Sequence, residues 1–359
     1  MLTRLYIDNF RCFEKFEWRP GRKQLILGRN GTGKSSLMDA LHYMAVSARG
    51  ELVDQWFKLS QRTRWLDQPE QTFEVEAQLQ GESYRYKLVI EPWGEPARPR
   101  VQLETLRLND ESVLEFKTGK LLVYPGSTGP HIDLDRRRSA LSSAGNVRLF
   151  AFREWLGDIS GWHINPIAMG SRAEGDEVAN LDLTNFAAWY RNLVKAYPRA
   201  NDAFLSDVRQ SLDGFDQLRM ERARENVHIL YADFMRDGKR ISVRFGELSD
   251  GQRCLICLYA IMHFEVAKGG TVIIDEPENF ISLREIQPWL MAIEDMADDH
   301  KGQVILISHH PEILNQWANP YGVQFVRDGA GPVRVEKFNG DPEGSLTAAE
   351  VVAEGWDFD

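Results

Sequence analysis

Residues 23–46, KQLILGRNGTGKSSLMDALHYMAV, constrain the fold of this 359-residue chain more than any other stretch. A short apolar run, KQLILG, enters a glycine-rich turn. Beyond the turn Leu37, Leu41 and Met44 recur at helical spacing. The segment GRNGTGKS, residues 28–35, satisfies G-x-x-x-x-G-K-[ST] in full and lies between a predicted strand and a predicted helix, the context this motif requires. Gly28, Gly31 and Gly33 let the backbone wrap a phosphate chain with its N–H groups pointing inward. Lys34 is then placed to reach β- and γ-phosphates, and the Ser35 hydroxyl to ligate Mg²⁺. Asn30 and Ser36 complete the candidate nucleotide contacts of the loop, while Arg29 reads as a solvated loop residue.

Three later segments carry further chemistry. TVIIDEPE, residues 271–278, reads as a buried strand that delivers two adjacent carboxylates to its end. Asp275 suits Mg²⁺. Glu276, expected on the opposite face of the strand, suits polarisation of an attacking water. VILISHHPEIL, residues 304–314, ends a second buried strand in Ser308, His309 and His310. A histidine there can hydrogen-bond a γ-phosphate; His309 is the candidate and His310 reads as structural. GELSDGQRCLICLYA, residues 246–260, opens an apolar helix on Ser249, Asp250, Gly251 and Gln252. A helix start rich in N–H groups, with no side chain at the glycine, is an anion site.

Between these motifs the pattern changes. From Thr72 to about Tyr124 the period is two, with turn signals between runs, and predicts an antiparallel sheet or meander. From Leu149 to about Leu212 helices dominate. VHILYADF and RISVRF return to strands. Strands near both ends alternate with helices, as a mainly parallel sheet requires. The predicted fold is therefore α/β, with a mainly parallel core sheet, an antiparallel β subdomain and a helical insertion. Expected boundaries are an N-terminal lobe over 1–170, the insertion over 171–235 and a C-terminal lobe over 236–359, with a tail helix capped by Thr347 and Glu350.

Composition narrows the function classes. A formal net charge of −10 argues against a surface that grips nucleic acid throughout, though not against a local basic groove. The first residues lack the apolar core of a signal peptide, and no run reaches the length of a membrane span. Three cysteines imply a reducing compartment, and the cytoplasm is the expected location.

The order P-loop, LSDGQ, IIDEPE, ISHH resembles ABC-type ATPases. The opening LYIDNFRCFEKFEW before the P-loop resembles the SMC, RecF and OLD-like branch, and SDGQRCL with DEPE and SHHP is most similar to small OLD-like ATPases. The resemblance implies a head-to-tail homodimer with two Mg-ATP between the copies. It implies that Ser249, Gly251 and Gln252 of one copy bind the γ-phosphate held by the other. It assigns Glu276 as general base, Asp275 as Mg²⁺ carboxylate, His309 as switch histidine and Arg11, of NFR, as a nucleotide contact. It departs from the branch at residues 279–283, where Ser282 stands in place of the usual Asp or His. That leaves the hydrolysis rate open and admits a scaffold with little turnover. A transporter subunit is the less favoured alternative. The glutamine-loop residue has two candidates, Gln102 and Asn146.

No sustained heptads lie between Lys34 and Ser249, so long coiled-coil arms are not expected. About fifty residues follow His310, too few for the nuclease domain of full-length OLD proteins. The expected partner is a separately encoded effector, a nuclease being one candidate, with nucleic acid left open and no membrane; a defence role extrapolates from the family. Cys254 and Cys257 read as helix packing, because a zinc site needs a second pair. Arg136, Arg137 and Arg138 read as a solvated loop rather than a phosphate grip, and residues 174–177 as an exposed acidic loop. Trp155, Trp162, Trp189 and Tyr190 read as core.

Overall fold

A computed structural model describes residues 1–123, 132–143, 147–175, 177–341 and 344–355. The chain divides into two compact units. The first comprises 1–159, 320–342 and 354–359; the second comprises 160–319 and 343–353.

The first unit holds an eight-stranded antiparallel sheet, ordered Phe16–Trp18, Leu2–Asp8, Gln71–Leu79, Glu82–Trp93, Arg98–Leu108, Glu111–Lys117, Lys120–Val123, Ile132–Asp133. The period-two region forms this meander as its alternation requires. The N-terminal strand joins the same sheet, pairing Leu5 with Val75 and Ile7 with Phe73. Its inward residues Leu2, Leu5 and Ile7 are fully buried, which sets its register. The strand Lys23–Leu27 runs parallel to Gly322–Arg327, which pairs antiparallel with Val333–Lys337. The helix Lys34–Ala48 buries Leu37, Leu41 and Met44, the residues whose spacing announced it.

In the second unit Ser160–Trp162, Thr271–Asp275 and Gln303–Ile307 pair in parallel. Their apolar runs are buried throughout, as expected of a parallel sheet covered on both faces. A second sheet centres on Val227–Arg236, flanked by Phe215–Arg224 on one side and by Arg172–Glu174 and Lys239–Arg244 on the other. Phe215–Arg224 was not evident from sequence: its distal half is exposed on both faces and shows no apolar alternation. Helices Phe186–Ala196 and Pro198–Ser211 precede it. Trp162, Trp189 and Tyr190 are core residues; Trp155, expected in the core, is only half-buried, its ring tilted 46° against the buried Phe152 ring at 5.6 Å in the first unit.

The helix Asp250–Ile261 continues into a π-helical turn, Met262–Val266. Cys254 and Cys257 are buried free thiols inside it, so packing is their role. The tail helix Ala348–Glu354 carries the expected cap: the Thr347 hydroxyl donates to Glu350 at 2.8 Å and accepts its N–H at 3.3 Å. The three arginines are not simply solvated. Arg136 pairs with Glu91 and lies over the Trp93 ring, Arg137 pairs with Asp135 at 2.8 Å, and Arg138 donates to the Gly50 carbonyl.

Candidate nucleotide-binding site

The glycine-rich loop of the first unit has the backbone its sequence demands. Gly28, Gly31 and Gly33 all take positive φ, at 143°, 84° and 97°. Two of them also leave no room for a side chain. A Cβ on Gly28 would lie 2.6 Å from the Phe325 carbonyl oxygen, and one on Gly33 would lie 2.8 Å from Cys12 Sγ. The loop is thus pressed between the strand Gly322–Arg327 and the NFRCF segment. Lys34 folds back over it, its ammonium donating to the carbonyls of Gly28 and, at 3.2 Å, Arg29. Asn30, Gly31 and Ser35 are exposed, as is Arg29. A concave loop holding a cation above it, with an exposed hydroxyl at the helix start, fits a nucleotide phosphate chain and its magnesium ion.

The NFRCF residues divide their work. Asn9 is fully buried at φ 58°; its amide donates to the carbonyls of Gln68 and Glu70 and its oxygen accepts the Thr63 N–H at 3.0 Å. Phe10 and Phe13 are core. Arg11 pairs with Asp39 at 2.5 Å and donates to Ser36 Oγ at 3.4 Å, which sets its guanidinium beside the first turn of the loop's helix. Cys12 lies buried under Gly33, and burial pushes its thiol pKa up.

One residue of this unit escaped sequence reading. Arg327 donates to Gly31 O at 3.1 Å, Ala330 O at 3.1 Å and Gly331 O at 2.7 Å. It ties the tip of the glycine loop to the turn after its own strand. An arginine in an ordinary strand carries no signal for such a role.

In the second unit the strand Thr271–Asp275 ends at Asp275, so Glu276 is not on the strand as expected. It turns to φ 51°, its N–H donates to the Ile307 carbonyl at 2.8 Å, and its Oε2 accepts from Asn279 Nδ2 at 2.7 Å. Asp275 is 15% exposed at its side chain and meets His163 Nδ1 at 3.4 Å. That contact raises the His163 pKa. His163 had no motif to mark it. His309 is exposed at the end of Gln303–Ile307, and His310 caps the following turn, as expected of a structural residue.

The helix start at Ser249 forms a reciprocal capping box. Ser249 Oγ accepts the Gln252 N–H at 3.2 Å and Gln252 Oε1 accepts the Ser249 N–H at 3.1 Å. Gln252 is therefore occupied in shaping the cap. The N–H groups of Asp250 and Gly251 have no intrahelical acceptor, by the geometry of any helix start. Arg253 holds the Asp250 carboxylate at 2.5 Å, so this acidic side chain is neutralised locally.

Gln102 sits in the antiparallel sheet and gives its amide to Glu91 at 3.0 Å. Asn146 lies outside the described residues.

Comparison with solved structures returns SMC heads. The SMC head domain from Thermotoga maritima aligns with a TM-score of 0.50 at 15% identity, over 94% of this chain and 99% of that one. An Smc head bound to the C-winged helix domain of ScpA gives 0.59 at 11%, over 96% and 99%. An Smc head with an extended coiled coil, bound to the C-terminal domain of ScpA and derived from Pyrococcus furiosus, gives 0.56 at 10%, over 99% of both. At these identities the likeness is one of fold. No curated protein matches. A family profile described as "AAA domain, putative AbiEii toxin, Type IV TA system" matches residues 25–315, from the strand before the glycine loop to just past His310. The chain belongs to that family, and its fold is that of the ABC-type P-loop ATPase heads of the SMC, RecF and OLD-like branch.

Proposed function

We propose that the protein binds and hydrolyses ATP, and that ATP closes two copies head to tail. The observation that carries this reading is the glycine loop with Lys34 folded over it. Lys34 exchanges its loop carbonyls for the β- and γ-phosphate oxygens, and the loop N–H groups hold the rest of the chain. Ser35 and Asp275 would hold Mg²⁺, which would supply neutralisation of charge on the phosphate oxygens. Glu276 accepts a proton from the attacking water as the oxygen bonds to the γ-phosphorus and the bond to ADP breaks. Asn279 fixes the Glu276 carboxylate in place. His309 hydrogen-bonds the γ-phosphate. Arg11 steadies the nucleotide from the side of Ser36.

The free N–H groups of Asp250 and Gly251 and the proton of the Ser249 hydroxyl suit the γ-phosphate held by the partner copy. Gln252 contributes through the cap rather than by direct contact. Closure then stores the state of bound ATP, and hydrolysis reopens the pair. We read the closed pair as a switch for a separately encoded effector protein, a nuclease being one candidate. Two of the solved heads are bound to a partner protein, ScpA, which supports a protein as recipient. The family description names a toxin of a type IV toxin–antitoxin system, which supports a defence role. The three free buried cysteines support the cytoplasm; among the described residues no helix is long and apolar enough to cross a membrane.

A scaffold with little turnover is the second reading, favoured by Ser282, which stands where the resembled branch usually carries Asp or His. Light scattering on Glu276→Gln, with and without Mg-ATP and beside Ser249→Arg, tests the dimer. The expected result is a doubling of mass that Ser249→Arg abolishes; a constant single-chain mass refutes it. Phosphate release from the parent protein, with Glu276→Gln as blank, decides between the two readings.

A further inference from the structure

The second unit contains an acidic residue that the proposed chemistry does not use. Glu278 lies two residues beyond Glu276, across Pro277, whose ring restricts the backbone. Its side chain turns inward rather than towards solvent. Oε1 accepts the Ser308 hydroxyl at 2.7 Å, and Oε2 is a buried atom without a hydrogen-bond partner among the described residues. Burial pushes its carboxyl up, and the thiol of Cys254 in the helix Asp250–Ile261 is raised first by its own burial and then by the Glu278 charge.

Ser308 is itself fully buried. Its hydroxyl oxygen accepts the His310 N–H at 3.0 Å while its proton goes to Glu278. A serine hydroxyl has one proton, so this pair of bonds fixes its rotor. His310 Nδ1 then accepts the Glu312 N–H at 3.3 Å. Both sequence neighbours of His309 are held in this way, while His309 itself is exposed. Burying a carboxyl with one unpaired oxygen is costly, and a hydrophobic pair would pack the same space without that penalty. The chain carries the costly arrangement at the junction of the two loops that present Glu276 and His309.

We infer that Glu278 is a positioning residue: through Ser308 it sets the place of His309 relative to Glu276. The positional part stands on these hydrogen bonds alone; its kinetic consequence rests on the proposed roles of Glu276 and His309.

The test uses full-length protein labelled with ¹³C,¹⁵N-histidine, with the His309 ring signal assigned by His309→Gln. Glu278→Ala is expected to move that signal. It is expected to lower kcat for phosphate release about tenfold or more while the KM for ATP stays unchanged. Glu278→Gln keeps an acceptor for Ser308 and restores both. Ser308→Ala reproduces Glu278→Ala, also if the latter fails to fold, and the double variant adds nothing to either. An unmoved His309 signal in folded Glu278→Ala or Ser308→Ala overturns the inference, as do additive effects in the double variant. If the parent protein releases no phosphate, the functional reading fails, while the histidine spectra still decide the positional claim.

Discussion

The carbonyl oxygen of Phe280 lies 2.6 Å from the point where a Cβ on Gly251 would stand. The two residues belong to different motifs, the anion-binding helix start and the loop after DEPE. Phe280 is held at φ 70°, so its carbonyl has little freedom to retreat. Gly251→Ala therefore forces a backbone shift and is expected to cost about 1–3 kcal/mol. Urea denaturation would register this as a lower midpoint at unchanged slope. A variant as stable as the parent would show that the loop yields freely.

Arg327 gives three donors to three carbonyls, one of them on the glycine loop. Arg327→Ala is expected to loosen Gly31 and weaken ATP binding about tenfold, with the circular dichroism spectrum unchanged. Lysine cannot present the same fork, so Arg327→Lys should recover only part of the affinity. Titration calorimetry with ATP checks both, and unchanged affinity in Arg327→Ala removes this residue from the account.

Glu104 is fully buried in the antiparallel sheet. It accepts from Tyr86 at 2.9 Å, Ser139 at 2.6 Å, and the N–H groups of Ala140 at 2.6 Å and Leu141 at 3.1 Å. Burial pushes its pKa up, against the pull of these four donors. Glu104→Ala leaves all four unpaired and is expected to cost about 3 kcal/mol or more. Glu104→Gln keeps acceptor capacity and should cost less. Equal losses in thermal melting would show that volume, not hydrogen bonding, governs this site.

His263 sets a pH dependence. It is buried in the π-helical turn, and burial lowers its pKa below 6.5, more than the Asp207 carboxylate at 2.7 Å raises it. The unfolded chain therefore binds this proton more readily than the folded one. The stability from neutral His263 is present above pH 6.5 and is lost as pH falls through the lowered value. Chemical denaturation between about pH 7.5 and about pH 5.5, one unit either side of the ordinary histidine value, should show this decline. His263→Gln should flatten it; an identical slope in the variant would assign the decline elsewhere.

Much of the fold was legible because its signals are local. The period-two runs from Thr72 could bury one face only as an antiparallel sheet, and they do. The glycine loop and the cap at Ser249 follow from residue types within a few positions of each other. Where the local signal was weak, reading failed: Phe215–Arg224 lacks alternation, and Ser160–Trp162 is only three residues long. Glu276 left the strand because a turn, not the strand's pleat, sets its direction.

What the sequence by itself determined is the set of chemical groups: a phosphate loop, two carboxylates after a buried strand, a histidine after another, and a helix start with open N–H groups. What only the tertiary structure decided is which groups those residues meet. Arg327 and Gly31 are 296 positions apart, Ser308 and Glu278 are 30 apart, and His163 reaches Asp275 across a parallel strand pair. Arginine, serine and histidine are common on any surface and carry no periodicity. Their partners are fixed when apolar strands and helices pack into one arrangement, and the polar side chains at the ends of those elements then pair with whatever that packing brings within reach.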